Sequence, residues 1–361
     1  MTAALVATGR RFEREDGGEA RGRVGDGADG GSGRPVGRFR RRPTRRAIAV
    51  GLGAVWFVDG LLQLQPSMFS RSFATDTLAG TGQGEPWWVF HSVTHVAMDL
   101  APHIAQWNVL FALVQLAIGV CLLANRAVKP ALAGSIAWSL AVWWFGEAFG
   151  GIFSGSASLI TGAPGAVLLY ALVALLVWPR RPGTSPDRVS PVAAESVVGS
   201  WGGRAMWAAI WVGSAVYQVL PADRPDGSIS SAIRSTAAGE PHVLASLSDG
   251  AARLIGTQGI TAAVIVATVE AVIGVGILWR RSNMVLAAGI AVSLVFWVVG
   301  QDLGGILTGS GTDPNSGPLL VLLALALWQG VPRQAAAGVH RAGRVRLPSV
   351  RGTRPGAPAG V

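Results

Sequence analysis

The sequence predicts an all-α integral membrane protein that crosses the bilayer eight times, as two parallel four-helix repeats. Three observations predict this fold: a composition that is half hydrophobic and only 14% charged, eight apolar runs, and an internal repeat. Most of the runs approach the roughly 20 residues that a helix needs to cross a hydrocarbon core. Within lipid, a helix also satisfies its own backbone polar groups. The runs are 47–65, 105–124, 130–150, 164–180, 204–220, 259–279, 283–303 and 317–331.

The repeat relates residues 47–180 to residues 204–331 at a nearly constant offset. A period this long indicates a duplicated domain rather than a solenoid. Because four spans are an even number, both halves start on the same side of the membrane and are parallel rather than inverted. The matched groups, 155 or 154 residues apart, are Trp56 with Trp211, Gln63 with Gln218, Gly84-Glu85-Pro86 with Gly239-Glu240-Pro241, and Gly150-Gly151 with Gly304-Gly305.

Each half has the same predicted order of elements. A first span is followed by an external loop whose Gly-Glu-Pro sequence begins a helix, at 86–101 and at 241–255. Proline suits the first turn of a helix, and these two helices are too polar to span, so we expect them to be amphipathic and external. Two long spans and one short span then follow.

A glycine- and serine-rich segment precedes each short fourth span, beginning at Gly150 and at Gly304. Matched short or interrupted spans in two repeats are typical of a membrane-protein binding site. The alternative interpretation is a tight external loop in which glycine adopts positive φ.

The distribution of basic residues predicts that both termini are cytoplasmic in a bacterial plasma membrane. Of 30 Lys and Arg residues, 26 fall in the two tails and the alternate loops, as the positive-inside rule requires. Residues 1–46 and 332–361 are predicted to be disordered basic tails, and 181–203 a cytoplasmic linker. The net charge of +10 therefore reflects topology and attraction to anionic lipid and does not indicate nucleic-acid binding. A lone Cys121 excludes an intramolecular disulfide or dithiol pair.

Acids inside the predicted spans are the first candidate site. An ionisable residue at the bilayer centre costs about 2.5–3.5 kcal/mol on insertion scales, and no span contains Lys or Arg inside its terminal residues to neutralise it. We expect these acids to be protonated, to bind a cation or to face water; the alternative is an interfacial position or a contact between helices. The predicted site for a small solute or cation comprises Asp59, Glu147, Glu270, Asp302, Asp313 and Asn315.

The repeat is chemically asymmetric at two of these positions. Gln115 in the first half aligns with Glu270 in the second, and Glu147 aligns with Gln301. Two positions thus carry an acid in one half and its amide isostere in the other, which breaks the chemical symmetry of the two repeats.

A second candidate site is a stripe of His91, His95, Asp99 and His103, spaced four residues apart. Such spacing keeps side chains on one helix face and suits metal ligands. The alternative is a solvated polar face, because Pro102 interrupts the helix and the second half does not repeat the stripe.

Two runs carry a resemblance to known proteins. Residues 59–69 (DGLLQLQPSMF) and 143–151 (WWFGEAFGG) resemble an uncharacterised family of multi-pass membrane proteins from high-GC Gram-positive bacteria. That resemblance extends over most of 47–331 and implies no known activity. The four-span unit is loosely similar to DoxX-like proteins, some of which are membrane partners of thiol or quinone redox enzymes.

Three hypotheses of function follow. The leading one is binding or transport of a small solute or cation from the outer face by the intramembrane acids. The second is a redox-linked membrane subunit that binds metal, haem or quinone, and the third is a structural or assembly partner without a ligand. The acids occur in both halves and the histidine stripe in one, which separates the first two hypotheses.

Overall fold

The computed structural model describes residues 43–155, 157–180, 189–220, 228–256, 258–279 and 282–330. Across these residues every regular element is helical, with one isolated β-bridge between Pro179 and Ser196. The predicted all-α class is confirmed. The predicted tails fall outside the described residues except at 43–46.

The first half begins with α1, two residues before its predicted start, because the Thr44 hydroxyl accepts a hydrogen bond from the Ala47 N–H at 3.1 Å. This is an N-cap contact, which satisfies one of the free N–H groups of the first turn. The predicted helix at 86–101 is present, with Pro86 just before its first turn. The helices are α1 (Arg45–Leu62), α2 (Ala79–Thr81), α3 (Trp87–Leu100), α4 (Ile104–Leu123), α5 (Val128–Phe145) and α6 (Ala166–Val177).

The second half is preceded by a folded part of the predicted linker. A 3₁₀ turn at Val192–Glu195 is packed against the helices, and the Glu195 carboxylate accepts a hydrogen bond from the Arg45 guanidinium at 3.1 Å. Residues 181–188 of that linker lie outside the described residues. The helices are α7 (Gly199–Val219), α8 (Ser228–Thr236), α9 (His242–Ile255), α10 (Gly259–Gly276), α11 (Ser282–Val299) and α12 (Ser316–Leu327).

Three described helical segments are long and apolar enough to cross a membrane: Trp87–Leu123, Gly259–Gly276 and Ser282–Val299. The helices α6 and α12 are shorter than their predicted spans. Each has 12 residues, which is about 18 Å at 1.5 Å per residue. The hydrocarbon core is about 30 Å thick, so neither helix alone crosses it.

The short helices α6 and α12 form the centre of the molecule. They pack against each other, and six longer helices contribute residues to the same hydrophobic core: α1, α4, α5, α7, α10 and α11. Their sequences are apolar on all sides, as expected for helices enclosed by protein. Large apolar side chains that remain exposed lie instead on the outer helices, including Leu113 and Val120 on α4 and Val264 and Val272 on α10.

The chain makes the same unusual turn after α5 and after α11. In both turns four successive residues adopt positive φ, and two of the eight are the bulky Phe149 and Leu303. The Trp143 indole N–H donates to the Pro164 carbonyl at 2.6 Å, and Trp297 donates to the Pro314 carbonyl at 2.6 Å. The eight residues are Ala148, Phe149, Gly150 and Gly151, and Asp302, Leu303, Gly304 and Gly305.

These turns correct the predicted positions of two acids. The helix α5 ends at Phe145 and α11 ends at Val299, so Glu147 and Asp302 lie in the turns that follow and not within long spans. The reversal of the chain through positive φ ends each helix earlier than its apolar run suggests.

Candidate functional site

Three of the predicted acids come together between the two halves. Asp59 on α1 is only 1% exposed, and it interacts electrostatically with Glu147, which follows α5, and with Asp313, which precedes α12. The Tyr170 hydroxyl on α6 faces the Asp59 carboxyl without closing a hydrogen bond of standard geometry. We call Asp59, Glu147, Tyr170 and Asp313 the first-half acid site.

Glu147 is positioned by the turn after α5. One carboxylate oxygen, Oε1, accepts a hydrogen bond from the Val167 N–H at 3.3 Å in the first turn of α6. The partial positive charge of a helix N-terminus favours a carboxylate there. The second oxygen, Oε2, is buried without a partner and occupies the space that a side chain on Gly165 would need. Glu147 therefore caps α6 with one oxygen and leaves the other for the site.

Asp313 and Asn315 are held by local hydrogen bonds in the turn before α12. The Asp313 carboxylate accepts from the Thr312 hydroxyl at 2.9 Å and from the Asn315 N–H at 2.7 Å. The Asn315 side-chain oxygen accepts from the Ser316 N–H at 2.6 Å, at the start of α12. Asp313 thus borders the first-half acid site, whereas Asn315 caps a helix.

Six buried oxygen atoms without hydrogen-bond partners lie on or next to α1, α4 and α6 and in the turn after α5. An unpaired buried polar group costs about 1–3 kcal/mol, and native proteins contain few of them. The orientation of the Asn108 amide is fixed, because its Nδ2 donates to the Gln63 carbonyl at 2.6 Å. In the described residues these oxygens are Asp59 Oδ1, Gln63 Oε1, Asn108 Oδ1, Gln115 Oε1, Glu147 Oε2 and Tyr170 Oη.

Glu270 lies apart from the first-half acid site. It is fully buried on α10, and its Oε1 accepts a hydrogen bond from the Ser214 hydroxyl at 3.0 Å. Ser214 occupies, 155 residues later, the position of Asp59. Glu270 of the second half therefore aligns with an amide of the first half, Gln115. Ser214 of the second half aligns with an acid of the first half, Asp59.

A segment of the first half completes the polar groups of the second half. The Leu159 N–H donates to the Ser214 hydroxyl at 3.0 Å, and the Leu159 carbonyl accepts from the Gln301 amide at 2.9 Å. The Gln218 amide donates to the Ser158 hydroxyl at 2.6 Å. The loop that supplies Ser158 and Leu159 is four residues longer than its counterpart, because the offset between halves falls from 154 at Gly150 to 150 at Pro164.

Asp302 belongs to a different set of contacts. Its carboxylate accepts from the Thr236 hydroxyl on α8 and the Ser248 hydroxyl on α9, both at 2.8 Å. The turn after α11 directs it toward these helices, so it anchors them and does not join Asp59 and Glu147. Burial and the nearby Asp302 raise the pKa of Glu240. Burial also raises the pKa of Glu85, and hydrogen bonds from Ser154 partly offset that increase.

The structure does not bring the histidine stripe into one ligand set. The ring centroids of His91 and His95 are 6.4 Å apart, and His91 Nδ1 bonds to the Trp87 carbonyl on an exposed face. The helix ends at Leu100, so His103 lies in the following 3₁₀ turn. Within the described residues no three His, Cys, Asp or Glu side chains are arranged to hold a metal ion, and this includes the acids described above.

Two members of the candidate site were missed by the sequence reasoning. Tyr170 is one of only two tyrosines and lies in an otherwise aliphatic helix, which was an available signal. Asn108 is a polar residue near the start of an apolar run, and its burial follows from the packing of α4 against α1.

Comparison with protein-family models, with curated proteins and with solved structures finds no match to this chain. The function therefore has to be inferred from the chemistry of the first-half acid site.

Proposed function

We propose that the chain is an eight-span protein of the bacterial inner membrane that binds or transports a small cationic solute from the outer face. The observation that carries this proposal is the pair of buried carboxylates, Asp59 and Glu147, each with an unpartnered oxygen. A buried carboxylate is stable only if it is protonated or paired. The ion pairs of the described residues, Arg45–Glu195 and Arg234–Asp249, involve neither acid.

The outer helices support a position in the membrane. A contiguous apolar surface of this kind would promote association in water, whereas in a bilayer it faces lipid. Exposed large apolar side chains on α4, α10 and α11 include Val109, Leu113, Val120, Val264, Val272 and Val295.

The buried segment before α6 supports span four. Residues 157–160 are buried in the protein, and non-helical backbone is tolerated at membrane depth where protein encloses it. A short helix and the buried segment before it would then cross the bilayer together.

The matched turns and indole hydrogen bonds support two halves of common design with one active site. Glu147 Oε1 accepts from the Val167 N–H, and Gln301 Oε1 accepts from the Gly317 N–H at 3.1 Å, in the same place 150 residues later. In the second half the inserted Leu159 segment bonds to Ser214 and Gln301, and Glu270 Oε2 stays without a partner. The first half brings two carboxylates with an unpartnered oxygen, Asp59 and Glu147, into one site, and we assign solute binding to it.

The outer entrance is covered in the present conformation. Just beyond α1, the Gln65 amide donates to the Gly311 carbonyl at 3.0 Å and the Ser67 hydroxyl donates to the Gly309 carbonyl at 2.9 Å. Each such bond contributes a net of only about 0.5–1.5 kcal/mol. We propose that 309–311 moves away from α1 when solute enters.

The test is charge movement in proteoliposomes that contain the purified chain, on addition of methylammonium, sodium or potassium to the outer side. We expect a signal from the wild type that Asp59→Asn and Glu147→Gln abolish. Glu270→Gln is the matched control, because Gln115 occupies the same position in the first half, and it should retain the signal. Equal signals from all four proteins, or equal loss in Glu270→Gln, would refute this assignment.

A further inference from the structure

We infer that the solute is a small organic cation rich in N–H groups, a primary ammonium or a guanidinium, and not a metal ion or a quaternary amine. This inference rests on the proposed function and specifies the ligand class of the first-half acid site.

The unpartnered atoms define the chemistry of the ligand. Of the fifteen buried oxygens without partners in the described residues, six lie on or next to α1, α4, α6 and the turn after α5. Five of these six are carboxylate or amide oxygens, which accept hydrogen bonds, and the sixth is the Tyr170 hydroxyl. Their complement is a molecule that donates hydrogen bonds and carries positive charge. A primary ammonium has three N–H donors and a guanidinium has five, whereas a quaternary amine has none.

The spacing of the acids argues against a bare metal ion. A calcium or magnesium site places several oxygens at about 2.0–2.6 Å from one point. Asp59, Glu147 and Asp313 interact electrostatically, but they are not arranged as ligands of one ion. An organic cation with its charge spread over several N–H groups fits separated acceptors better.

Aromatic rings of the site present their faces rather than their donors. The Trp56 ring lies 4.3 Å from the Tyr170 ring, and its indole N–H is bound by the Ser135 hydroxyl at 2.8 Å. The Trp143 indole N–H is bound by the Pro164 carbonyl. These tryptophans therefore supply no hydrogen-bond donor to the acids, but an aromatic face attracts a cation.

The second half indicates which group belongs at Asp59. At the equivalent position, the Ser214 oxygen accepts an N–H from the chain itself, that of Leu159. The shorter second-half loop supplies no such group to Asp59 Oδ1, which has no partner. A ligand N–H would make in the first half the contact that the Leu159 backbone makes in the second.

The test is the thermal unfolding midpoint of the full chain in detergent, with each probe added as its chloride so that all samples have equal ionic strength. The probes are methylammonium, methylguanidinium, tetramethylammonium and sodium itself at equal millimolar concentrations. We expect methylammonium or methylguanidinium to raise the midpoint saturably, tetramethylammonium to have no effect, and Asp59→Asn to abolish the rise. Glu270→Gln should retain it.

The outcomes separate this inference from the proposed function. An equal rise with tetramethylammonium, or a rise with sodium alone, would refute the requirement for N–H donors and leave a cation site in place. No rise with any cation, together with wild-type charge movement in Asp59→Asn, would refute both. If Asp59→Asn does not fold, Glu147→Gln replaces it, because a glutamine, Gln301, already occupies the equivalent position in the second half.

Discussion

Glu147 and Gln301 occupy matched positions in the two halves. The reciprocal variants Glu147→Gln and Gln301→Glu test the asymmetry between the halves. Both side chains accept a hydrogen bond from the first turn of a central helix. Only Gln301 also donates, to the Leu159 carbonyl and to the Ser316 hydroxyl, each at 2.9 Å. The two reciprocal substitutions should therefore have unequal effects on stability.

The magnitudes follow from these bonds. Gln301→Glu keeps the bond from Gly317 but leaves the Leu159 carbonyl without its donor and beside a carboxylate. The unpaired carbonyl costs about 1–3 kcal/mol, and burial of a new charge adds to this, so we expect a loss of at least about 3 kcal/mol. Glu147→Gln keeps the bond from Val167 and replaces a buried charge by an amide, so its effect should lie within about 1 kcal/mol.

The assay is the thermal unfolding midpoint of each variant in one detergent at pH 7. Gln301→Glu should unfold well below the wild type, and Glu147→Gln should unfold close to it while losing charge movement. Similar losses of stability in both variants, or a larger loss in Glu147→Gln, would show that the hydrogen bonds donated by Gln301 do not set the difference between the two positions.

Three further predictions concern the scaffold. Gly119→Ala should destabilise the chain by about 1–3 kcal/mol, because the alanine Cβ would come within 3.0 Å of the α1 backbone. Gly213→Ala is the control, because its Cβ would meet nothing within 4 Å. It should be neutral or stabilising in the same unfolding assay. Asp302→Ala should accelerate hydrogen exchange in 228–255, since it removes the acceptor for α8 and α9, and unchanged exchange would contradict that anchoring role. Glu240→Gln should raise the unfolding midpoint at pH 7. The pKa of Glu240 is raised in the folded protein, so the wild type loses stability as the pH rises above 4.5, the ordinary pKa of this carboxyl. The gain in the variant should therefore vanish below pH 4.5.

The helices were predictable from the sequence because local signals determine them. Apolar runs located the long helices within a few residues, and the Gly-Glu-Pro sequences located α3 and α9. Alignment of the halves also identified Glu147 with Gln301, which the structure places at equivalent helix starts. Residues that repeat at a fixed offset have the same local partners, so this part of the site could be read directly.

The remaining features depend on contacts that no local pattern encodes. Phe149 and Leu303 adopt positive φ although neither residue type favours it, and their turns direct Glu147 and Asp302 to different partners. The insertion of Leu159 beside Ser214 joins residues 55 positions apart. Only the four extra residues of the first loop hinted at it, and a length difference does not say where a loop ends.

Each half contributes a loop to the other half, and this limits how one half could fold alone. Residues 158 and 159 of the first half complete the second, while 309–311 of the second half covers the first. The helices α6 and α12 bury their faces against each other. A half made alone would expose one of these helices and lack the partner loop, and only a second copy would cover both. In a homodimer both loops would have the same length, so the two sites would be either both filled or both open. Fusion in one chain is what allows the two loops to differ in length, so that the Leu159 segment bonds to Ser214 and has no counterpart at Asp59.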